Sequence, residues 1–307
     1  MPNSRLTVSI VVYNSDDVIE DCLLGFSHAS DTSRPRILIV DNASPDSSVE
    51  KVGRFPFAEL IRSDVNRGFA GGHNLCLERI SSDYWLLLNP DARMTTEQTE
   101  ELVRWMDENP DVALASPALV DASGESLNVE RRFPSVFASL LLFLRLHLLF
   151  TKTLKARLFS GPFAEKTLDS KSADWILGAA MIARRSAVEE VGPMSDEFPM
   201  YGEDVEWCWR FKEAGWKIGV VNRLSISHIG GTSTTRSYEV SERIARVERA
   251  TSDVLVKMRG RFYSVAWVAL ELMIAVTEAF HPGRSTDERD FSLKRSRALF
   301  NILLSRP

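Results

Sequence analysis

The chain has 307 residues, a formal net charge of −5, 44% apolar residues and 26% charged residues. This composition is that of an ordinary globular protein, and the length is sufficient for one large core or two smaller ones. The slightly negative net charge does not indicate a basic surface that could bind DNA or RNA, so we expect no nucleic-acid partner.

The cysteines and the N-terminus indicate the compartment. Cys22, Cys76 and Cys208 are scattered, odd in number and without a CxxC pair. This pattern predicts a reducing compartment and no cysteine zinc site. Residues 1–6 are polar and the apolar run behind them is only as long as a strand, so no signal peptide is expected and the protein is predicted to be cytoplasmic.

The first predicted elements are a strand, a helix and a second strand. Residues 7–12 are rich in β-branched side chains and end at Tyr13 and Asn14, and residues 36–40 form a similar run. The order predicts a parallel pair with a right-handed crossover. Asp41 directly follows the second strand. It either closes an Asx-turn into the next helix or accepts a hydrogen bond from a nucleotide base or ribose.

A glycine-rich segment follows a short third strand at 59–62. Residues 66–74 read Asn-Arg-Gly-Phe-Ala-Gly-Gly-His-Asn, with three glycines among five residues. Such glycines let a backbone approach a ligand closely ahead of a helix. The spacing is not the dinucleotide-binding fingerprint, and no Walker loop occurs in the chain.

The most apolar predicted strand ends in a carboxylate. Residues 84–88 are all apolar or aromatic, which is typical of a strand that is covered on both faces. Asn89 and Pro90 end it, which leaves Asp91 at the carboxyl end of a central strand, where open α/β sheets bind ligands. Asp91 either caps the turn or holds a divalent cation against a phosphorylated substrate. Thr95 and Gln98 then form a capping-box pattern for the next helix.

Two apolar stretches lie outside the predicted sheet. Residues 137–150 are nearly all Leu and Phe, and about 14 residues are too few to span a bilayer. Residues 262–280 contain Glu271 and Glu278, which argue against a transmembrane span. Basic residues flank both stretches. The stretches either pack in the core or across a homodimer, or lie in the plane of a membrane, which would make the protein peripheral at the inner face of the cell membrane.

Two further positions have a structural and a functional interpretation. Glu203 and Asp204 begin a helix that should end near Gly215, and acids are common there because the helix dipole favours them. His228 follows a strand and precedes Gly230 and Gly231. It is either a structural histidine or a metal ligand.

Taken together, the motifs resemble the family 2 glycosyltransferases, over roughly residues 6–233. They are most similar to bacterial rhamnosyltransferase-like members that build cell-surface polysaccharide. The segments that carry the resemblance are 11–14, 40–44, 66–74, 88–92, 132–135, 175–179, 200–204 and 228–231. The resemblance implies an α/β fold of the GT-A type, with one mostly parallel sheet flanked by helices in residues 1–235 and a C-terminal helical extension in 236–307.

The resemblance also implies a reaction and its residues. Moving a sugar from a nucleoside diphosphate requires that the leaving diphosphate be stabilised and the acceptor hydroxyl be deprotonated. Asp204 is the candidate base of an inverting transfer, with Glu203 in support, and Asp91 with His228 would hold Mg²⁺ or Mn²⁺. The donor would be a dTDP- or UDP-sugar, with rhamnose as one candidate sugar, and the acceptor a glycan or a lipid-linked acceptor in cell wall polysaccharide biosynthesis.

Further contacts are assigned from the same resemblance. The expected donor-binding residues are Tyr13, Asn14, Asp41, Asn66, Gly68, Gly71, Asn74 and Asn89. The expected acceptor-binding residues are Trp175, Gly178 and Tyr201.

Two alternatives differ from this interpretation. A sugar nucleotidyltransferase would require a glycine-rich loop with a basic residue after the first strand, where this chain has Tyr-Asn-Ser-Asp-Asp at 13–17. A non-catalytic nucleotide-sugar-binding or scaffold protein stays open because the chain has Ser195 and Pro199 where family members usually carry aromatic residues.

Overall fold

The computed structural model describes residues 3–159, 169–198, 200–229 and 239–305. The chain forms two compact units. The first comprises Met1–Arg131, Glu165–Pro199 and Glu203–Ser233. The second comprises Arg132–Ala164, Met200–Gly202 and Thr234–Pro307. The second unit therefore contains the expected C-terminal helical extension and, in addition, the Leu- and Phe-rich stretch at 137–150.

All strands among the described residues belong to the first unit. They are β1 (Asn3–Val12), β2 (Pro35–Asp41), β3 (Ala58–Arg62), β4 (Tyr84–Leu88), β5 (Ala92–Arg93), β6 (Val112–Val120), β7 (Ser126–Leu127), β8 (Glu130–Arg131), β9 (Ser170–Ala173), β10 (Trp175–Ile176), β11 (Ala180–Arg184) and β12 (Lys217–His228).

The α-helices are distributed over both units. They are α1 (Ile19–Ser27), α2 (Ser48–Val52), α3 (Gly68–Asn74), α4 (Thr96–Glu108), α5 (Val136–Phe143), α6 (Lys152–Phe159), α7 (Arg185–Val191), α8 (Glu203–Glu213), α9 (Val240–Arg259), α10 (Arg261–Ala279) and α11 (Thr286–Leu304). The second unit contains α5, α6 and α9 to α11.

One mixed sheet organises the first unit. Its strand order is β3-β2-β1-β4-β11-β6-β12-β5, with β7 beside β6 and β9 beside β12. β1 is parallel to β2 and to β4, as the strand, helix, strand order predicted. β11 runs antiparallel to both β4 and β6, and β12 is parallel to β6. The expected α/β class is confirmed. The strands β3, β2, β1 and β4 form a parallel block, but the sheet as a whole is mixed, because the pairings of β11, β9, β7 and β5 are antiparallel.

The core follows from the apolar runs in the sequence. Every residue of β4 is buried, as expected of a central strand with both faces covered. The predicted capping box at the start of α4 is formed, because Gln98 N donates to Thr95 Oγ1 and Thr95 N donates to Gln98 Oε1. Capping fixes the start of α4, and α4 buries Leu102, Trp105 and Met106.

The second unit is a helical assembly with a polar cluster in its interior. α10 packs against α5, α9 and α11. Arg295 donates to Glu248 at 2.5 Å and to Glu271 at 2.6 Å, and Ser139 Oγ donates to Glu271 at 2.5 Å. Within the described part of the chain, α10 is the one helix long and apolar enough to cross a membrane by length and composition. A third of that window is buried in the protein.

Candidate active site

The carboxyl edge of the sheet brings the two strand-terminal acids together. Asp41 is the last residue of β2 and lies opposite Val12 of β1, and Leu88, the last residue of β4, lies opposite Ile10 of β1. Asp41 and the end of β4, three residues before Asp91, therefore lie at the same edge of the sheet. The predicted common edge is confirmed.

Asp41 is part of a tight turn at this edge. Its side chain is buried, and Oδ1 accepts a hydrogen bond from Ser44 N at 3.0 Å. The Asx-turn is therefore present, and Ala43 within it has a φ of 64°. Tyr13 and Asn14 follow β1 at the same edge, where Asn14 has a φ of 51°, which is the left-handed region that asparagine tolerates.

A hydrogen-bond network holds Asn66 and Gly68 beside this turn. Asn42 Nδ2 donates to Asn66 Oδ1 at 2.9 Å and to Gly68 O at 3.0 Å. Arg67 N donates to Asn42 Oδ1 at 2.9 Å. Asn42 thus positions the start of α3 next to Asp41, a role that sequence reasoning did not assign.

The glycines of the 66–74 segment have a different use from the one predicted. We expected a loop ahead of a helix, but Gly68 is the first residue of α3 and the other glycines lie within the helix. A Cβ on Gly72 would stand 2.7 Å from Val11 Cγ1, and one on Gly71 would stand 2.8 Å from Arg67 Cβ. Gly72 therefore permits close packing of α3 on β1, and only Gly68, with a φ of 69°, requires an unusual backbone conformation.

The two remaining asparagines tie loops to this edge. Asn74 Nδ2 donates to Met194 O at 2.9 Å and to Asp196 Oδ1 at 3.2 Å. Asn74 thus anchors the segment in which the chain departs from its family pattern. Asn89 N donates to Ala179 O at 2.8 Å, which joins the end of β4 to the start of β11.

Asp91 and His228 are adjacent although they lie far apart in the sequence. β5 pairs antiparallel with the end of β12, so that Ala92 lies opposite His228. His228 Nε2 is 3.2 Å from Asp91 Oδ1, and the two side chains are 14% and 8% exposed. The predicted proximity is therefore present. Gly230 and Gly231, which carried part of that prediction, lie outside the described residues.

The Asp91–His228 pair fits a divalent cation. Both ring nitrogens of His228 are buried, and Nε2 faces Asp91 Oδ1, so a cation between them would be bound by an imidazole nitrogen and a carboxylate oxygen. A carboxylate oxygen with an imidazole nitrogen is a donor set that suits Mn²⁺ and accommodates Mg²⁺. No cluster of three or more His, Cys, Asp or Glu suited to a metal occurs in the described part of the chain. Substrate oxygens and water would have to complete the coordination.

The Glu203–Asp204 pair lies at the start of α8, next to the same edge. Asp204 Oδ1 accepts from Val205 N at 2.8 Å, and Asp204 lies beside Gly178, where a Cβ would stand 3.8 Å from Asp204 Cβ. Gly178 precedes β11, whose Ala180 lies opposite Leu88 of β4. The contact with Gly178 therefore places Asp204 at the sheet edge that carries Asp91.

The two acids differ in their surroundings. Burial raises the pKa of Glu203 to about 8, with a further contribution from Asp204, and its Oε2 has no partner among the described residues. Burial also raises the pKa of Asp204 to about 6, while the N–H groups of Val205 and Gly178 oppose the rise. Asp204 therefore ionises first, and Glu203 keeps its proton near neutral pH. An ionised carboxylate with a pKa close to the working pH is suited to general base catalysis.

Sequence reasoning missed Arg131 as a site residue. β8 pairs with β10, so that Arg131 lies opposite Trp175, and its guanidinium carbon is 6.0 Å from the centroid of the Trp175 ring. Arg131 Nε is buried without a partner in the described ranges, and burial lowers the pKa of Arg131 while the charge of Asp204 raises it. Arg131 directly precedes the Arg-Phe-Pro-Ser motif, but only the β8–β10 pairing reveals the contact.

The predicted acceptor-binding residues fall in different parts of the chain. Trp175 and Gly178 belong to the first unit, with Trp175 against Arg131 and Gly178 against Asp204. Tyr201 belongs to the second unit and has a φ of 67°, a strained conformation for a bulky residue. Pro199, one of the two departures from the family pattern, lies outside the described residues.

A comparison with protein families decides what the chain is. The model of glycosyl transferase family 2 matches residues 7–168, which is more than half of the chain. The chain belongs to glycosyltransferase family 2. The family expected from the motifs is thereby confirmed, and this glycosyltransferase is an enzyme of glycan or polysaccharide synthesis.

Named relatives agree with the family. The glycosyltransferase is 24% identical, over 75% of its length and 78% of the relative, to the N-acetylglucosaminyl-diphospho-decaprenol L-rhamnosyltransferase of Mycobacterium tuberculosis. It is 26% identical, over 76% of its length and 71% of the relative, to the low-salt glycan biosynthesis hexosyltransferase Agl10 of Haloferax volcanii.

Solved structures agree with the fold. The mannosyltransferase PcManGT from Pyrobaculum calidifontis, in complex with GDP-Man and Mn²⁺, has a TM-score of 0.61 at 13% identity, over 99% of this chain and 88% of that one. S. aureus TarS 1-349 in complex with UDP-GlcNAc has a TM-score of 0.54 at 13% identity, over 99% and 82% of the two chains. The expected GT-A fold is confirmed.

Proposed function

We propose that this glycosyltransferase transfers a sugar, with inversion, from a dTDP- or UDP-sugar to a hydroxyl of a glycan or lipid-linked acceptor in cell-surface polysaccharide synthesis. One observation carries the proposal. The Asp91–His228 pair, 3.2 Å apart, lies at the sheet edge where Asp204 stands beside Gly178. This chemistry requires a pair of side chains that can bind a cation at the diphosphate, and a base that is ionised near neutral pH.

The transfer is a single displacement. The acceptor hydroxyl attacks the anomeric carbon of the donor sugar, the bond from that carbon to the diphosphate oxygen breaks, and Asp204 takes the hydroxyl proton. Glu203, which keeps its proton, adds no second negative charge beside the base. With one base and no nucleophile assigned, the sugar configuration inverts.

Other residues of the edge bind the donor. Asp41 accepts from the nucleobase, and the Asn42 network holds the backbone of Asn66 and Gly68 beside it. Asp91 and His228 would hold Mg²⁺ or Mn²⁺ on the diphosphate, where the cation would neutralise charge on the leaving group. The similarity to the rhamnosyltransferase of Mycobacterium tuberculosis supports a donor of the rhamnose type.

The test is a donor panel scored by released nucleoside diphosphate, with and without Mn²⁺. We expect metal-dependent release from at least one dTDP- or UDP-sugar. Asp91→Asn should lower the rate by roughly 100-fold or more, the scale on which loss of one electrostatic stabiliser acts. His228→Gln should lower it in the same direction, and both variants should weaken Mn²⁺ binding in the presence of UDP, measured by electron paramagnetic resonance.

Asp31→Asn is the matched control. Asp31 is an exposed aspartate that precedes β2, at the opposite end of the strand from Asp41. The control should keep the wild-type rate and metal affinity. An Asp91→Asn variant with wild-type rate and Mn²⁺ affinity would remove Asp91 from the metal site, and the absence of turnover with every donor would favour the non-catalytic alternative.

A further inference from the structure

Exposed apolar side chains are concentrated in the second unit. Twenty large apolar side chains are exposed among the described residues, and eighteen of them belong to this unit, which has little more than a third of the chain. Leu24 and Val65 are the two in the first unit. Scattered exposed apolar residues are normal, whereas such a concentration marks an interaction surface.

The clearest part of this surface is one face of α10 and its C-cap residue. We define the α10 apolar face as Phe262, Ala266, Ala269, Met273, Val276 and Phe280. These residues recur at intervals of four and three, so they lie on one side of the helix. Phe262 is 92% exposed and Phe280 is 76% exposed, and no charged residue interrupts the face.

The opposite face of α10 is buried, and it combines the apolar residues Trp267, Val268, Ala275 and Ala279 with two paired polar residues. Ser264 Oγ is 2.9 Å from Ser252 Oγ, and Glu271 is held by Arg295 and by Ser139. A helix at a water-facing surface normally carries polar residues on its outer face, whereas the outer face of α10 is apolar. An uninterrupted apolar outer face, with the few polar groups paired inside, is typical of helices that contact lipid.

A second exposed apolar patch follows α5. Leu144 lies after the helix, and Leu146, Leu148 and Leu149 lie in or at the end of the short 3-10 helix Leu146–Leu149. Their exposure ranges from 39% for Leu146 to 82% for Leu149. Arg145, with a φ of 56°, is exposed between them.

The positive net charge of the second unit favours an anionic partner. This unit contains 18 Lys and Arg against 9 Asp and Glu, a formal net charge of +9, whereas the first unit contains 19 against 33 and has a formal net charge of −14. In a symmetric dimer formed through this surface, two second units that each have a formal net charge of +9 would face each other and repel. An anionic lipid surface attracts the same unit, by roughly fivefold in affinity for each basic residue close to it.

We infer that the second unit docks on an anionic bilayer surface, with the α10 apolar face and the leucines at 144–149 inserted at the level of the lipid headgroups. The unit does not cross the bilayer, because the face of α10 that carries Glu271 packs on α5 and α11. This places the protein at a membrane surface such as the inner face of the cell membrane. The inference goes beyond the proposed function and does not depend on it.

The experiment is vesicle flotation of the full chain without substrate. The probes are vesicles of phosphatidylcholine alone and of phosphatidylcholine with phosphatidylglycerol. We expect binding to the anionic vesicles at 0.1 M salt and loss of most binding at 1 M, where the Debye length falls from about 10 Å to about 3 Å. Phe262→Gln with Phe280→Gln should lower the affinity by roughly tenfold or more, since two apolar insertions are lost.

A matched pair of substitutions serves as the control. Leu24→Gln with Val65→Gln removes the two exposed apolar side chains of the first unit and should leave vesicle binding unchanged. Both double variants should keep the wild-type melting temperature and rate of nucleoside diphosphate release in solution, so a docking defect is distinguishable from a catalytic one.

Three results would overturn the inference. The first is absence of binding to anionic vesicles. The second is equal binding by the wild type and the double variant Phe262→Gln with Phe280→Gln. The third is binding that persists in 1 M salt and alkaline carbonate, which is the behaviour of a protein with a membrane-crossing helix. Sedimentation velocity tests the competing possibility that a second copy of the chain covers this surface. If the wild type formed a dimer, did not bind vesicles, and lost the dimer in the double variant Phe262→Gln with Phe280→Gln, the surface would be a dimer interface.

Discussion

Asp204→Asn is the most direct test of the catalytic assignment. The variant keeps the shape of the side chain but removes the carboxylate that would take the acceptor proton. We expect kcat to fall by roughly 10²- to 10⁴-fold, the usual contribution of a general base, with little change in donor affinity. This corresponds to about 3–5 kcal/mol in the activation free energy.

The pH dependence of the wild type follows from the raised pKa of Asp204. With a pKa of about 6, the base is almost fully ionised at pH 8 and about one tenth ionised at pH 5. Log kcat should therefore rise with a slope of one below pH 6 and level off above it. The assay is release of nucleoside diphosphate in the presence of acceptor, measured from pH 5 to pH 9.

Glu203→Gln is the matched control for Asp204→Asn. Because Glu203 keeps its proton when Asp204 ionises, glutamine resembles the protonated side chain. The variant should therefore retain turnover and the decrease of kcat below pH 6. The folded-state pKa of Glu203 is raised to about 8, so the stability it provides is fully present below pH 4.5 and is lost as the pH rises through 8. Glu203→Gln should therefore gain melting temperature relative to wild type between pH 7 and pH 9.

The opposite result would refute this assignment. If Glu203→Gln abolished turnover and Asp204→Asn retained turnover with the same decrease of kcat at low pH, Glu203 would be the base. The hydrogen bond from Val205 N to the Asp204 carboxylate would then have only a structural role. If neither substitution changed kcat, no member of the pair would act as the base.

Two further predictions concern the stability of each unit. Gly72→Ala should destabilise the protein by about 1–3 kcal/mol in a urea titration, since its Cβ would stand 2.7 Å from Val11, and Val11→Ala in the same chain should recover part of the loss. Arg295→Met should cost about 3–5 kcal/mol, because it leaves Glu248 and Glu271 buried without their cation. Burial already raises the pKa of Glu248, so this loss should be larger at pH 8 than at pH 5, and an equal loss at both would contradict the reasoning.

The sequence by itself determined the elements whose signal is local. β4 is a run of five apolar or aromatic residues ended by Asn89 and Pro90, and its burial on both faces follows from that run alone. The capping box at Thr95 depends on two residues three positions apart. The common edge of Asp41 and Asp91 also followed from the sequence, since parallel strands end on the same side of a sheet.

Local patterns misled where packing decides. The glycines at 68–72 predicted a ligand-binding loop, but α3 uses Gly72 to pack against Val11 on a neighbouring strand. In α8 the fully buried residues include not only Trp207, Cys208 and Phe211 but also Glu206, which is in contact with Arg210. A paired charge can occupy a core position, which periodicity cannot show.

Only the tertiary structure decided which distant residues meet. The resemblance had placed His228 with Asp91, but the pairing of β12 with β5 that joins them is visible only in the structure, as is the pairing of β8 with β10 that sets Arg131 against Trp175. Strands of two residues carry no pattern in the sequence, because their pairing is fixed by neighbours in the sheet and not by their own side chains. The pKa order of Glu203 and Asp204 was likewise decided in three dimensions, since the backbone N–H groups of Val205 and Gly178 reach one carboxylate and not the other.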